Sequence, residues 1–259
     1  NTDTIRRIVK RLVKRRPAAV LIARDFIYHP IEDEPEDVRE EFEPSDYRED
    51  AFEEIRRVVD LLRPLIEAGI PVYAVLGNHD YGMKTESAVA LPWLADLVAT
   101  SLSAIGVQVL RNQAVAIEPP GSTAAMPGAP AHLPFFIVGI GAHLPRLDNP
   151  EDAVAAVPAD APRLVFMHHP ASFERIPAGQ APLALAGHTH GGQVRLPFFP
   201  EWTWLSYVKG EKVHADGWID GYGQPGNRLY VNRGIGFSKA PIRINCRPEL
   251  TIFTLRSQS

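Results

Sequence analysis

The 259-residue chain has one cysteine, Cys246, and that scarcity excludes two kinds of site: an intrachain disulfide framework and a thiolate metal cage. Cys246 is expected in the core. Long apolar runs are also missing: no stretch reaches the length of a membrane-spanning helix, and the N-terminus has no apolar segment of the signal-peptide kind. Nor is there an excess of positive charge. The 27 Lys and Arg against 31 Asp and Glu leave a net charge of −4, without the basic footprint of a nucleic-acid-binding domain, so no nucleic-acid partner is expected. No internal repeat is visible.

What is present suits one α/β domain, because this length with 45% hydrophobic residues buries a sizeable core. Charge is segregated along the chain. Arg6, Arg7, Lys10, Arg11, Lys14, Arg15 and Arg16 fall in one early segment, while Glu and Asp dominate 32–54. Ile5, Ile8, Val9, Leu12 and Val13 run through the basic segment at helical spacing and predict an amphipathic helix over 3–16, capped by Thr2 or Asp3. A solvated basic face is the expectation, ahead of a membrane-surface helix.

The elements that follow are an interior strand at 18–23, a helix over 47–68 ended by Gly69 and Pro71, a strand at 72–76, a helix over 87–105 and a short strand at 107–110. Beyond them the pattern turns strand-rich, at 114–117, 135–140, 164–167, 183–186, 229–231 and 250–255. The Pro-, Gly- and Ala-rich stretch 119–134 reads as a loop. Early alternation followed by strands predicts an α/β fold with mixed sheets.

Polar residues collect where strands end. Asp25 follows the first strand, Gly77-Asn78-His79-Asp80 the second, His168-His169-Pro170 another, and Gly187-His188-Thr189-His190-Gly191-Gly192-Gln193 another. Sites in α/β sheets form at the carboxyl ends of strands, so four such loops are candidates to converge. Imidazole, carboxylate and amide oxygen together suit a divalent metal. His188 and His190 share a face if the backbone is strand-like and diverge toward two ions if it turns tightly. Singly, an Asn-His-Asp turn is usually only a turn and His168-His169 a strand end; their joint occurrence in this order argues for a site.

On those blocks the chain resembles the calcineurin-like metallophosphoesterase superfamily, whose Gly-Asn-His-Asp/Glu, later strand-end His and Gly-His-x-His appear as Gly77–Asp80, His168 and Gly187–His190. The extended Gly187–Gln193 motif, the Tyr73–Leu76 lead, and the tail Asn232-Arg233-Gly234-Ile235-Gly236 with Pro241-Ile242-Arg243 resemble its bacterial branch of small phosphodiesterases of YkuE and YaeI type. The resemblance implies an α/β sandwich of two mixed β-sheets flanked by helices. It also implies two divalent ions (Mn, Fe, Zn or similar) and hydrolysis of phosphodiesters or phosphomonoesters by metal-activated water. Carried over by position, it makes Asp25 the bridge between two ions, gives Asn78, His168 and His188 to the second metal and His190 to the first, and leaves His79 beside the scissile phosphate as acid, oriented by Asp80. His169 is expected not to ligate. Arg233 reads equally as substrate contact or structural arginine.

Two departures stand out. No Asp-x-His block precedes Asp25, and Arg24 stands where the family usually has glycine; it either distorts the turn or lies beside Asp25 and depresses its pKa. The chain begins without Met, so an upstream first strand carrying the Asp-x-His is expected, with 1–259 a single domain lacking it. The alternative is a non-catalytic or mononuclear homologue acting as a metal- or phosphate-binding module. A third reading places the enzyme on lipid-linked or cell-envelope phosphates, associated with a membrane through an upstream segment. Cytoplasmic and envelope locations, and oligomeric state, stay open.

Overall fold

The computed structural model describes residues 2–28, 44–117, 133–197, 199–203, 214–237 and 242–256. The loop expected at 119–134, His29 and most of the acidic stretch before residue 44 lie largely outside the described residues.

Helix α1 (Thr2–Arg15) buries Val9 and Leu12 and leaves its Arg and Lys side chains exposed, as its stripe requires. It packs on α2 (Pro44–Glu67). That helix closes in a Schellman turn: Gly69 takes φ +71, its N–H donates to Ile66 O, and the Ile70 N–H donates to Leu65 O. Strands β1 (Val20–Ala23), β2 (Val72–Val75) and β3 (Gln108–Val109) form a parallel sheet in the order β1-β2-β3. Helix α3 (Pro92–Ala104) returns the chain between β2 and β3. It starts five residues later than the periodicity suggests, because Pro92 takes a first-turn position and holds Leu91 outside helical geometry.

The second sheet is mixed. β4 (Gln113–Ile117), β5 (Phe135–Gly139), β6 (Arg163–Met167), β7 (Ala184–Ala186), β10 (Gly217–Ile219) and β11 (Leu229–Val231) lie in the order β10-β11-β7-β6-β5-β4. Its central strands β5, β6, β7 and β11 are mutually parallel, and β4 and β10 are antiparallel edges. Helix α4 (Pro150–Ala155) follows β5, and a small hairpin of β8 (Arg195–Leu196) and β9 (Phe199–Thr203) stands apart.

Alternation along the strands stacks these pieces into layers. Val72, Ala74 and Leu76 pack with α1, α2 and α3, while Tyr73 and Val75 face the second sheet. There they meet Ile137, Leu164 and Phe166, whose neighbours Val138, Val165 and Met167 point the other way, toward Ala153, Val154 and Phe173. The arrangement is helix, parallel sheet, mixed sheet, helix: the predicted sandwich, with one sheet parallel throughout its described strands. Cys246 is buried, as expected. No helix among the described residues is long and apolar enough to cross a membrane.

The strand expected at 250–255 does not form. Those residues pair with no described strand and are held over β11 by side chains instead: Asn232 Nδ2 donates to Thr251 Oγ1 at 2.8 Å, and Phe253 packs edge-on against Tyr230 and Trp218. An alternating pattern marks a half-buried extended segment, and ladder partners decide whether it becomes a strand.

Candidate metal centre

The parallel strands of both sheets deliver their carboxyl ends to one place. Asp25 lies two residues beyond β1, Asn78 and His79 just beyond β2, His168 directly after β6, and His188 and His190 just beyond β7. The His79 N–H donates to Asp25 Oδ1 at 3.0 Å, and His168 Nε2 lies 3.4 Å from Asp25 Oδ2 and 3.0 Å from His188 Nδ1. The four loops therefore converge.

Glycine makes the approach feasible. A Cβ on Gly77 would fall 2.0 Å from Asp25 Oδ1 and 2.9 Å from His168 Cε1, and one on Gly187 would fall 2.2 Å from the Ala23 carbonyl oxygen. In the Gly187–Gln193 motif His188 (φ +67), His190 (φ +49) and Gln193 (φ +57) are all left-handed, conformations that cost a non-glycine residue and cluster at functional sites. The motif is thus a tight turn and its histidines diverge. His188 packs on the His168 and His169 rings, whereas His190 and the Arg24 guanidinium both come within 3.9 Å of where a Gly236 Cβ would stand.

The electrostatics favour side chains ready to receive a cation. Burial pushes the Asp25 carboxyl up, but His168, His79 and the His79 N–H outweigh it and hold it below the usual carboxylate range. Burial lowers His168 against the pull of Asp25, and lowers His190 to about 4, so both rings stand neutral at physiological pH. Asn78 is buried with its Nδ2 donating to Met83 O at 2.6 Å, while its Oδ1 has no hydrogen-bond partner among the described residues.

Among the described residues no three His, Cys, Asp or Glu side chains form a ready-made ligand cage. The donors nonetheless fit a divalent ion. An orphaned, buried amide oxygen is costly unless something binds it, and separations of 3.0 and 3.4 Å suit neighbouring donors whose metal bonds are each about 2.0–2.2 Å.

The Asp80 carboxylate serves the backbone. Its Oδ1 accepts the Phe26 and Ile27 N–H groups at 2.8 and 3.2 Å, and its Oδ2 accepts the Gly77 N–H at 2.9 Å, tying the Asp25 loop to the turn that carries His79. Burial and the nearby Asp25 push this carboxyl well up; the three N–H groups oppose them. The His79 ring packs against Tyr28 at 4.8 Å.

Arg24 keeps an ordinary backbone φ, so the turn has no need of glycine's left-handed range. Its Nε donates to the Asp25 carbonyl at 2.8 Å, and Asp25, Asp80 and Glu54 surround it with negative charge. Arg233 resolves toward structure, paired with Glu249 at 2.9 Å and near Asp216 at 3.6 Å. Sequence reasoning named Arg243 only within the tail motif and gave it no role; its guanidinium donates to the His190, Arg233 and Gly236 carbonyls and clamps the tail onto the histidine turn. Sequence reasoning missed His143, four residues beyond β5, although the same strand-end pattern would have found it.

Comparison with known proteins adds the family. The chain is 33% identical over 196 residues to phosphodiesterase YaeI of Escherichia coli (strain K12), covering 76% of this chain and 62% of that protein. It is 28% identical over 210 residues to YkuE of Bacillus subtilis (strain 168), an uncharacterized metallophosphoesterase, covering 80% and 64%. The chain spans under two thirds of the length of these relatives. The family model for calcineurin-like phosphoesterases matches residues 1–192, the region that carries every one of the converging side chains, and the chain belongs to that family.

Proposed function

We propose that this chain is the core of a divalent-metal-dependent phosphoesterase that cleaves phosphodiesters or phosphomonoesters. The observation that carries the reading is the buried Asn78 Oδ1, without a hydrogen-bond partner among the described residues, beside the Asp25–His168–His188 contact, a donor set assembled from both sheets. Membership of the family and the likeness to a phosphodiesterase support the same chemistry.

In this reading Asp25, Asn78, His168, His188 and His190 would hold the divalent metal, expected as two ions. Bound metal supplies an acidified water and neutralises phosphoryl charge. The protein's own contributions are positional. Asp80 fixes the turn that carries His79, and His79, half-exposed against Tyr28, donates a proton to the leaving oxygen at its ring. His168 and His190 stay unprotonated and keep their lone pairs for binding. An Asp-x-His strand upstream of Asn1 would complete the first metal's shell. The substrate is a small or lipid-linked phosphate ester.

The test is hydrolysis of bis- and mono-p-nitrophenyl phosphate by the purified full-length protein with Mn²⁺ and with EDTA. Turnover of at least one ester that EDTA abolishes is expected; inactivity toward both with Mn²⁺ present would sink the reading. The competing view, a mononuclear binding module, draws on Arg24 standing where the family usually has glycine and predicts one ion or none per chain by elemental analysis.

A further inference from the structure

A histidine outside the proposed ligand set stands beside it. β5 runs parallel to β6, and its carboxyl end turns at residues 143–146, so His143 sits next to the strand end that bears His168 and His169. Its ring stacks on His169 with centroids 4.8 Å apart and planes 29° apart, and His169 packs in turn on His188 at 4.2 Å. The rings form a row leading out from the centre.

The loop carrying His143 is rigidly built. His143 Nδ1 lies 3.0 Å from Asp148 Oδ2, and the Asp148 side chain is only 2% exposed. Ser172 Oγ donates to the same oxygen at 2.7 Å, Arg175 Nη1 faces Asp148 Oδ1 at 3.4 Å, and Arg175 Nη2 donates to the Asp148 carbonyl at 3.1 Å. From the other side, Asn112 accepts the Gly141 and Asn149 N–H groups, both at 2.8 Å, and donates to Leu147 O at 2.7 Å. This is heavy anchoring for a half-exposed surface turn. With Nδ1 turned to the Asp148 carboxylate, Nε2 is the ring nitrogen left facing away from it, an acceptor wherever the ring's proton sits on Nδ1. Nε2 has no recorded hydrogen bond among the described residues, and the side chain is 29% exposed.

We propose that His143, oriented by Asp148, forms a substrate-binding subsite for the second ester substituent of a phosphodiester, accepting a hydrogen bond from a hydroxyl or N–H on that substituent. The inference rests on the phosphoesterase reading. His79 and Tyr28 flank the centre from the parallel sheet, and the His143–His169 pair flanks it from the mixed sheet, so a phosphate between them has one ester arm for each side. A monoester has a single ester arm and leaves the His143 side empty. Asp148 is a positioning residue that acts through the imidazole.

The experiment compares full-length, metal-loaded wild type with His143→Phe, which keeps a ring, and with Asp148→Asn. The substrates are the p-nitrophenyl ester of thymidine 5′-phosphate, a diester with hydroxyl and N–H donors on its second arm, and p-nitrophenyl phosphate. His143→Phe should raise KM for the diester about five-fold or more, the loss of one uncharged hydrogen bond, with kcat and the monoester KM little changed and the melting temperature held. Asp148→Asn should shift KM the same way. Diester KM unmoved in His143→Phe, or both substrates losing rate by one common factor, overturns the subsite alone. A wild type that turns over neither substrate overturns the phosphoesterase reading, and the subsite with it.

Discussion

At the scale of single residues the centre depends on what is small and what is left unpaired. Gly77→Ala drives a methyl to within 2.0 Å of the Asp25 carboxylate, so it should destabilise the fold by about 1–3 kcal/mol and weaken metal binding; thermal melts with and without Mn²⁺ read both effects. Asn78→Ala discriminates further. Its oxygen has no hydrogen-bond partner among the described residues, so the melting temperature in EDTA should fall only by the loss of the Nδ2–Met83 O bond, about 1–3 kcal/mol, while the rise that Mn²⁺ gives the wild type should shrink. An unchanged Mn²⁺ shift would remove Asn78 from the ligands. These residues were legible because their chemistry is concentrated in short blocks at strand ends. Arg243 was not, because an arginine that serves three backbone carbonyls depends on a fold no local pattern announces, and Arg24 was misleading because the family's glycine suggests a backbone strain that this turn does not have.

At the scale of elements, the loop between β5 and α4 offers a pH test. Burial raises the Asp148 carboxyl, but hydrogen bonds from His143 and Ser172 and the charge of Arg175 help carry it below its ordinary value. A depressed carboxyl stabilises the fold fully above its unfolded pKa, near 3.9, and loses that contribution as pH falls through the lower folded value. Asp148→Asn should therefore cost about 1–3 kcal/mol near neutral pH, with the gap to wild type closing below about pH 4, as melting temperatures across pH 3–7 would show. At the end of α2, Gly69 has open space around a would-be Cβ, so Gly69→Ala pays only for its left-handed backbone, about 1 kcal/mol in a denaturant titration. Periodicity exposed this helix and most strands because burial imposes it on the sequence. It misjudged the α3 start, where Pro92 ends the freedom of the preceding residue, and residues 250–255, where pattern exists without a ladder partner.

At the scale of the whole molecule, two sheets facing each other across Tyr73, Val75, Leu164 and Phe166 bring together strand ends that the chain separates by more than a hundred residues. Phe166 is fully buried between them, and Phe166→Ala should cost about 3–5 kcal/mol, with the centre loosened since His168 follows two residues on. Which sheet each strand joins was not readable from the sequence, because apolar strands carry no label for their neighbours; that their ends would meet was readable from the polar residues placed there. The most direct test of the central claim strips the full-length protein with chelator and then titrates Mn²⁺ while following both bound metal and hydrolysis of bis-p-nitrophenyl phosphate. Activity that returns in step with metal occupancy, and fails to return in His188→Ala, is the predicted result; hydrolysis that persists in the stripped protein, or metal binding and activity unaffected by His188→Ala, would contradict it.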